Sequence, residues 1–559
     1  MTDDRVAGPE PPTGDSGLLR ASATMAVGTL LSRLTGFVRL VVLLAAIGQG
    51  VFADTFTVAN TLPNIVYLLL LGGTINAVFV PQLVKRLRSD ADRGQAYTDR
   101  LLTVVGGALL VITVVVVLAA PLIVRLYASD WDERDYEVSV TFARYCLPQI
   151  LFYGLFTMWS QVLNARGRFA APMFAPVVNN LVAIASAGAF LAIAGTGTTT
   201  DSVTDGEMAL LGLGSTLGIV LQAFVLVPVM KRTGYRYRPR FNLRGSGLGT
   251  AGRLATWTIV SVTASQLAYL VVSRLATAAN SAAQAEGGSH GAGITVYSAA
   301  NLFFVLPHAI ITVSVATALL TRMSHSAHAR DLAAVGDDVS LGLRYVGAAM
   351  IPAAALFVVL GPSIGEVFFS FGSGSVDDAV YLGTTLSLFA VGLPAYSGSY
   401  VLTRAFFAME DTRTPALVTC LMAVVNIALA VAFAAVLAPE RVVAGLALAY
   451  ALAYTVMAVV LTWLLRARLG GLGLTLVLRT YTRLVVAAAA AVAVSFGVLT
   501  LLDQVGSPSG PAGALVAVVV CGTVGVVVFV LVARFLHVTE VAYVVDVVTK
   551  RLRFRSPQA

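Results

Sequence analysis

Two arginines lie near the middle of an apolar run that is long enough to cross a membrane. The run is "VGTLLSRLTGFVRLVVLLAAIG", residues 27–48, and the arginines are Arg33 and Arg39. A charged side chain at the centre of a bilayer costs about 2.5–3.5 kcal/mol on insertion scales, so such residues are usually kept for a function. Because a guanidinium matches the geometry of phosphate oxygens, this pair predicts a site for an anion.

The spacing of the two arginines allows both to face one cavity. Six residues of helix separate them by about 9 Å along the axis and about 120° around it, and Gly36 lies between them. A glycine there permits close approach of a ligand. We therefore expect Arg33, Gly36 and Arg39 to line a water-filled cavity. The alternative is that the side chains extend to the headgroups, which is easier for Arg33 than for the deeper Arg39.

An acid and a third arginine are candidates for a gate. Asp54 follows the first apolar run, and Arg274 lies near the end of a later one, residues 254–278. If the two ends meet, the pair would help to bind the substrate and close the outer side of the cavity, at a value near 1 kcal/mol. The alternatives are that Asp54 caps its own helix and that Arg274 snorkels to the headgroups.

No other group of residues indicates catalysis or metal binding. The three cysteines lie inside apolar runs, and His325 and His328 have no acid or cysteine cluster beside them. The sequence also lacks a Walker-type phosphate loop and a hydrolase nucleophile motif. We therefore expect a protein that is not an enzyme and that holds no metal or cofactor. Its energy source would be an ion gradient, the membrane potential or the gradient of its own substrate.

The composition is that of a membrane protein with many spans. Hydrophobic residues make up 57% of the 559 residues and charged residues 12%, whereas soluble proteins have about 25% charged residues. A helical span needs about 20 apolar residues. On that basis we expect an all-α fold with about fourteen spans, near 25–48, 58–84, 101–126, 138–163, 170–194, 207–230, 254–278, 295–320, 341–364, 379–408, 414–437, 442–465, 481–502 and 512–536.

Lys and Arg are distributed unevenly between the connections. With a cytoplasmic N-terminus, the six internal connections hold 21 Lys or Arg and the seven external ones hold two. This asymmetry follows the positive-inside rule and predicts that both termini are cytoplasmic. It also explains the net charge of +8 without nucleic acid. The tail "KRLRFR" (550–555) would meet anionic membrane lipids.

Prolines indicate an internal repeat. Six spans return the chain to its starting side, so the two copies, helices 1–6 and 7–12, would be related by a parallel pseudo-repeat. The matching prolines are Pro63 and Pro307, Pro121 and Pro362, and Pro172 and Pro415. The expected parts are a disordered cytoplasmic tail (1–19), a first six-helix lobe (20–232), a cytoplasmic linker with the second lobe (233–466), two added helices (467–537) and a basic cytoplasmic tail (538–559).

Five segments of the sequence carry a resemblance to a known family. They are "SRLTGFVR" (32–39), "ADTFTVANTLPN" (53–64), "AVFVPQLVKRL" (77–87), "VLNARGRFAAPMFAPVVNN" (162–180) and "RAFFAMEDTRTP" (404–415). They resemble the lipid II flippase family MurJ/MviN, most closely its actinobacterial members. The resemblance extends over the expected fourteen helices. It implies the fold of the multidrug/oligosaccharidyl-lipid/polysaccharide exporter superfamily.

The resemblance implies a transporter in the bacterial plasma membrane. Its substrate would be lipid II, undecaprenyl-diphosphate carrying the peptidoglycan precursor unit, moved from the inner to the outer leaflet by alternating access. Arg33 and Arg39 resemble the family's cavity arginines, which would meet the diphosphate, and Asp54 matches the family's acidic position. The two added helices would border a groove for the lipid tail. Cell-wall synthesis or regulatory proteins would be its protein partners.

Departures from the family pattern leave other functions open. Tyr67 stands where many relatives have arginine, "SAANLFFVLP" (298–307) lacks an arginine often found there, and residues 254–278 hold no acid for a sodium site. A flippase for another polyprenyl-diphosphate saccharide would present the same diphosphate. A drug or cation antiporter would need buried acids, whereas the first apolar run of this sequence carries arginines. A membrane scaffold of the cell-wall machinery would use the basic loop 231–247 and would tolerate neutral substitutions at both arginines.

Overall fold

The computed structural model describes residues 15–71, 92, 94–241, 248–288, 291–504 and 510–542. Within these residues every regular element is a helix. Most of the predicted N-terminal tail, the segment 77–87 and the tail 550–555 lie outside the described residues. The all-α membrane fold expected from the sequence is confirmed.

The first half of the chain contains nine described helices. These helices are α1 (Asp15–Ile47), α2 (Val51–Leu71), α3 (Gln95–Leu118), α4 (Ala120–Tyr127), α5 (Glu133–Cys146), α6 (Gln149–Ala165), α7 (Ala170–Ala194), α8 (Asp205–Phe224) and α9 (Leu226–Arg232). One residue separates α3 from α4, and one separates α8 from α9.

The second half contains ten described α-helices, with a short π-helical turn (His308–Thr312) between the second and third of this half and a 3₁₀ turn (Pro439–Arg441) before the eighth. They are α10 (Leu248–Ala285), α11 (Ile294–Pro307), α12 (Val313–His328), α13 (Leu332–Phe369), α14 (Val376–Val391), α15 (Leu393–Ala408), α16 (Arg413–Val436), α17 (Val442–Leu469), α18 (Leu474–Gln504) and α19 (Pro511–Phe535).

The described residues contain 11 helices that are long and apolar enough to span a membrane, or 12 if α14 and α15, bent by 46°, form one span. Two further expected spans account for the difference from fourteen. Residues 58–84 are described only as far as Leu71, and the span 138–163 is divided between α5 and α6. Pro148 lies between α5 and α6. A proline lacks the backbone hydrogen-bond donor and crowds the preceding turn, so it interrupts the helix at this point.

The predicted repeat has a counterpart in local structure. The connection after α6 and the connection after α15 make the same backbone bonds: the N–H of Arg168 donates to the carbonyl of Leu163, and the N–H of Asp411 donates to that of Phe406. Both pairs close the C-terminus of a helix in the Schellman manner. The N-cap residues of two helices also correspond. Asp132 caps α5, and Ser375, 243 residues later, caps α14.

The chain divides into two compact units. The first contains the residues up to Ile47, Thr55–Leu126 and Asp132–Val262. The second contains Thr263–Ala559 together with two short segments of the first half, Gly48–Asp54 and Tyr127–Trp131. In the second unit α13, α18 and α19 share an apolar core. Its buried members are Ile351, Leu484, Ala487, Ala488, Ala491, Phe529, Ala533, Val538 and Val541.

Candidate functional site

Arg39 lines a cavity inside the first unit. Its guanidinium extends from α1, which is apolar on either side of it, and α2, α7 and α8 supply the other walls. The lining contains amide and hydroxyl groups and no acid. The lining residues are Arg39, Leu43, Phe56, Asn60, Ala183, Ser186, Ala187, Leu211 and Ser215.

A hydrogen-bond chain fixes the orientation of Asn60 in this cavity. The amide nitrogen of Gln149 donates to Asn60 Oδ1 (3.2 Å) and lies 3.3 Å from the Thr216 hydroxyl. Thr216 in turn donates to the carbonyl of Tyr145 (2.7 Å). Because the oxygen of Asn60 already accepts a bond, its NH₂ group remains as a donor. The cavity therefore combines a guanidinium with neutral donors, which suits an anion.

Arg33 and Gly36 take different positions from Arg39. Arg33 is exposed and is not among the residues that line the cavity, in keeping with the angle of about 120° between the two arginines on a helix. A Cβ at Gly36 would lie 3.4 Å from the Asn180 amide. Asn180 donates from α7 to the Ser32 carbonyl (3.0 Å) and the Thr35 hydroxyl (2.9 Å). Gly36 thus lies where α1 and α7 approach closely.

Tyr67, which departs from the family pattern, is held by α6. Its hydroxyl lies 2.8 Å from the hydroxyl of Thr157. Its ring lies beside that of Tyr153, with 5.8 Å between centroids. This position therefore supplies a neutral hydroxyl in a polar contact, where an arginine would supply a charge.

Asp54 is fully buried and caps a helix other than its own. Its Oδ1 accepts from the backbone N–H of Thr295 (2.9 Å), and its Oδ2 accepts from the Asn280 amide (2.7 Å). Thr295 is the second residue of α11, whose N-cap, Gly293, makes no side-chain cap bond. The carboxylate thus supplies the cap from a distant part of the chain and meets the positive end of the α11 dipole.

The loop before α11 is built around this carboxylate. Asn280 accepts from the backbone N–H of Ala292 (2.9 Å), and Asp378 accepts from that of Gly291 (2.6 Å). At Gly293 a Cβ atom would collide with the Asp54 carboxylate. Sequence reasoning missed Asn280 and Gly293. The available signal was the sequence "GAGIT" (291–295), in which a helix begins without a Ser, Thr, Asp or Asn to cap it.

Arg274 is exposed on α10, and among the described residues no ion pair joins it to Asp54. Asp54 is fully buried whereas the Arg274 side chain is exposed, so the two groups lie in different surroundings. The carbonyl of Arg274 accepts from the hydroxyl of Thr277 (3.0 Å), which also lies 3.2 Å from the carbonyl of Tyr127. The structure therefore brings Asp54 together with Asn280 and Thr295.

A shallow apolar groove lies in the second unit between α13, α18 and α19. Only one side chain in its lining, Ser495, carries a polar group, and its hydroxyl donates to the carbonyl of Cys521 (3.1 Å). Such a surface suits a hydrocarbon chain. The groove is lined by Pro352, Ala355, Leu356, Val359, Ala491, Val492, Ser495, Gly525, Val526 and Phe529.

Solved structures of two kinds of transporter share the fold. A lipid II flippase MurJ in an inward closed conformation matches with a TM-score of 0.70 and 18% identity, covering 91% of this chain and 98% of that one. An inward-facing multidrug resistance MATE family transporter of the MOP superfamily matches with a TM-score of 0.64 and 15% identity, covering 80% and 99%. These likenesses show the fold that the two kinds have in common.

Sequence comparison distinguishes between the lipid II flippases and the MATE transporters. The family model described as "Lipid II flippase MurJ" matches residues 43–510. A probable lipid II flippase MurJ of Rhizobium meliloti is 30% identical over 451 residues, 79% of this chain and 80% of that protein. A lipid II flippase MurJ of Burkholderia cenocepacia is 26% identical over 405 residues, 71% and 75% of the two chains. The family match covers well over half of the sequence, so the chain belongs to the MurJ family.

Proposed function

We propose that this protein is a flippase that moves lipid II from the inner to the outer leaflet of the plasma membrane by alternating access. Its family model and its curated relatives are named for that activity. The observation in this chain that carries the proposal is the donor-lined cavity at Arg39, which has no acid in its lining. A diphosphate is an anion whose oxygens match a guanidinium with neighbouring amide and hydroxyl donors. In this structure the cavity has room for about one water molecule, so a diphosphate would enter it in a state where α1, α2, α7 and α8 lie further apart.

The orientation and the energy source belong to the same proposal. The excess of Lys and Arg in alternate connections supports cytoplasmic termini. In that orientation Arg33 lies nearer the cytoplasmic entrance and Arg39 deeper, so the substrate headgroup would meet them in that order. We propose that the membrane potential or an ion gradient other than sodium drives transport, because residues 254–278 offer no acid for a sodium site.

The contacts of Asp54 support a role in closing the outer side. One carboxylate joins the first turn of α2 to α10 through Asn280 and to the start of α11 through Thr295. If the first turn of α2 separated from α10 and α11, two charge-assisted hydrogen bonds would break, each worth about 1.5–3 kcal/mol. A bound headgroup would have to compensate for that loss. Arg274 would pair with Asp54 only in a state where the carboxylate is no longer buried.

Depletion of the protein tests the function directly. Cells that depend on a plasmid copy of the gene are depleted of the unmodified protein, called the parent. Lipid II in the outer leaflet is then measured by its accessibility to an external probe. The Arg39→Ala variant should reach normal levels in the membrane, but lipid II should no longer appear in the outer leaflet. Arg39→Lys should retain part of the outer-leaflet lipid II, since lysine keeps the charge but loses the two-pronged donor geometry.

The control is Arg466→Ala, because Arg466 is exposed at the end of α17 and makes no ion pair within the described residues. It should behave as the parent does. Normal outer-leaflet lipid II with Arg39→Ala would refute the assignment of the cavity. If depletion left lipid II unaffected but trapped a different polyprenyl-diphosphate saccharide inside, the protein would be a flippase for that saccharide.

A further inference from the structure

The segment that follows α9 is fixed along the first unit by five polar contacts. We call residues 233–241 the strap. The buried hydroxyl of Tyr235 donates to Asp99 (2.6 Å), and the hydroxyls of Tyr237 and Thr103 lie 2.8 Å apart. The Arg240 N–H donates to the Thr103 hydroxyl (3.0 Å), and Gln95 donates to the carbonyl of Arg236 (2.9 Å). Arg166 contacts Thr233 and lies over the Tyr235 ring.

These contacts use the tyrosines and the backbone and leave the cationic side chains of the strap free. Arg236, Arg238 and Arg240 alternate in the sequence with Tyr235, which is buried, and Tyr237, whose hydroxyl contacts Thr103. All three arginines are exposed, as are Lys231 and Arg232 at the end of α9. Within the described residues none of these five cations has an ion pair, and residues 231–241 contain no acid.

The strap begins where a membrane span ends. The candidate span Asp205–Arg232 finishes immediately before it, so the cations lie near the headgroup level. Two aromatic side chains of the strap are also open to the surroundings, Tyr237 at 48% and Phe241 at 82% exposure. Exposed aromatic rings beside lysines and arginines are typical of protein at the membrane–water interface.

We propose that the strap and the end of α9, residues 231–241, bind the headgroups of anionic phospholipids. Five cations without counter-ions would neutralise headgroup phosphates, while Tyr237 and Phe241 would enter the interface. A pre-fixed backbone would reduce the ordering cost of that binding. An acidic protein is the competing occupant, but the position at a span end and the exposed rings favour lipid. Phospholipid binding here does not require that lipid II be the transported substrate.

The test compares two lipids on the purified full-length protein in detergent. Phosphatidylglycerol or phosphatidylcholine is added, bound lipid is counted by native mass spectrometry, and hydrogen exchange of the strap amides is followed. We expect phosphatidylglycerol to bind more tightly and to slow exchange in residues 233–241, with an effect that weakens as salt is raised. Phosphatidylcholine should do neither.

Variants assign the effect to the strap. R236Q/R238Q/R240Q should weaken phosphatidylglycerol binding at least fivefold, about 1 kcal/mol, and R236K/R238K/R240K should retain most of it. The first variant keeps every contact that fixes the strap, so its thermal unfolding should match the parent. The charge-matched control R330Q/R466Q/R479Q removes exposed arginines elsewhere and should bind the lipid as the parent does.

Three results would overturn the proposal. Equal binding of the two lipids would show that headgroup charge is not recognised. An equal loss in the control variant would show that only net charge matters. Protection of the strap by polyglutamate but not by phosphatidylglycerol would point instead to an acidic protein partner.

Discussion

At the scale of the residue, the Asp54 carboxylate bonds to groups on two other helices, the Asn280 side chain on α10 and the Thr295 backbone on α11. An acid beside an apolar run is unusual enough to be selected by type alone. Its two partners, Asn280 and Thr295, lie 226 and 241 residues away, and no local pattern connects positions so far apart. The same holds for Arg39, whose chemistry could be predicted while its neighbours Asn60 and Ser186 could not.

The cap that Asp54 provides gives the prediction at this scale. Asp54→Asn can keep the bond to Thr295 but turns its own NH₂ towards the NH₂ of Asn280, which leaves buried donors unpaired at a cost of about 1–3 kcal/mol. Gly293→Ala places a methyl group against the carboxylate. We expect both to lower the midpoint of thermal unfolding and to impair transport. Asp130→Asn, which changes an exposed acid between α4 and α5, should change neither. Parent-like stability and transport in both variants would show that the cap is dispensable.

At the scale of the element, two expected spans turned out to be helix pairs at corresponding places in the repeat. The sequence predicted single helices over 138–163 and 379–408, whereas the structure breaks them near Pro148 and at Gly392. Hydropathy cannot show such a break, because it reports the apolar character of a segment and not its backbone path. The prolines Pro148 and Pro394 at the two breaks supply the physical reason, since proline interrupts the helix bonds of the preceding turn.

The repeated helix ends give a prediction about backbone strain. Gly167 (φ 71°) and Glu410 (φ 59°) take the same left-handed position after α6 and α15. That conformation costs a residue with a Cβ about 1 kcal/mol and costs glycine little. Glu410→Gly should therefore raise the midpoint of thermal unfolding, since the Glu410 side chain is exposed. The reciprocal change, Gly167→Ala, should lower it. A lower midpoint for Glu410→Gly would mean that the carboxylate contributes more than the strain removes.

At the scale of the whole molecule, the sequence predicted the membrane class and the family but not which segments group together. Gly48–Asp54 and Tyr127–Trp131 lie in the first half of the chain yet belong to the second unit. Their membership depends on long-range bonds such as the one from Thr277 to the Tyr127 carbonyl. The predicted lobe boundary at 232 and the two added helices as the tail-binding part stay predictions.

The apolar groove allows the role of the added helices to be tested. Val526 and Val527 are adjacent on α19 and similarly exposed, at 47% and 50%, but only Val526 lines the groove. Val526→Trp should fill the groove and exclude part of a prenyl tail, so the van der Waals contacts of the excluded methylenes with the groove are lost. Binding of full-length lipid II to purified protein should therefore weaken more than binding of a short-chain analogue with the same headgroup. Val527→Trp adds the same bulk to the neighbouring face and should leave the ratio of the two affinities unchanged. Equal weakening of both ligands by Val526→Trp would place the tail elsewhere, because a lost tail contact cannot affect a ligand that has almost no tail.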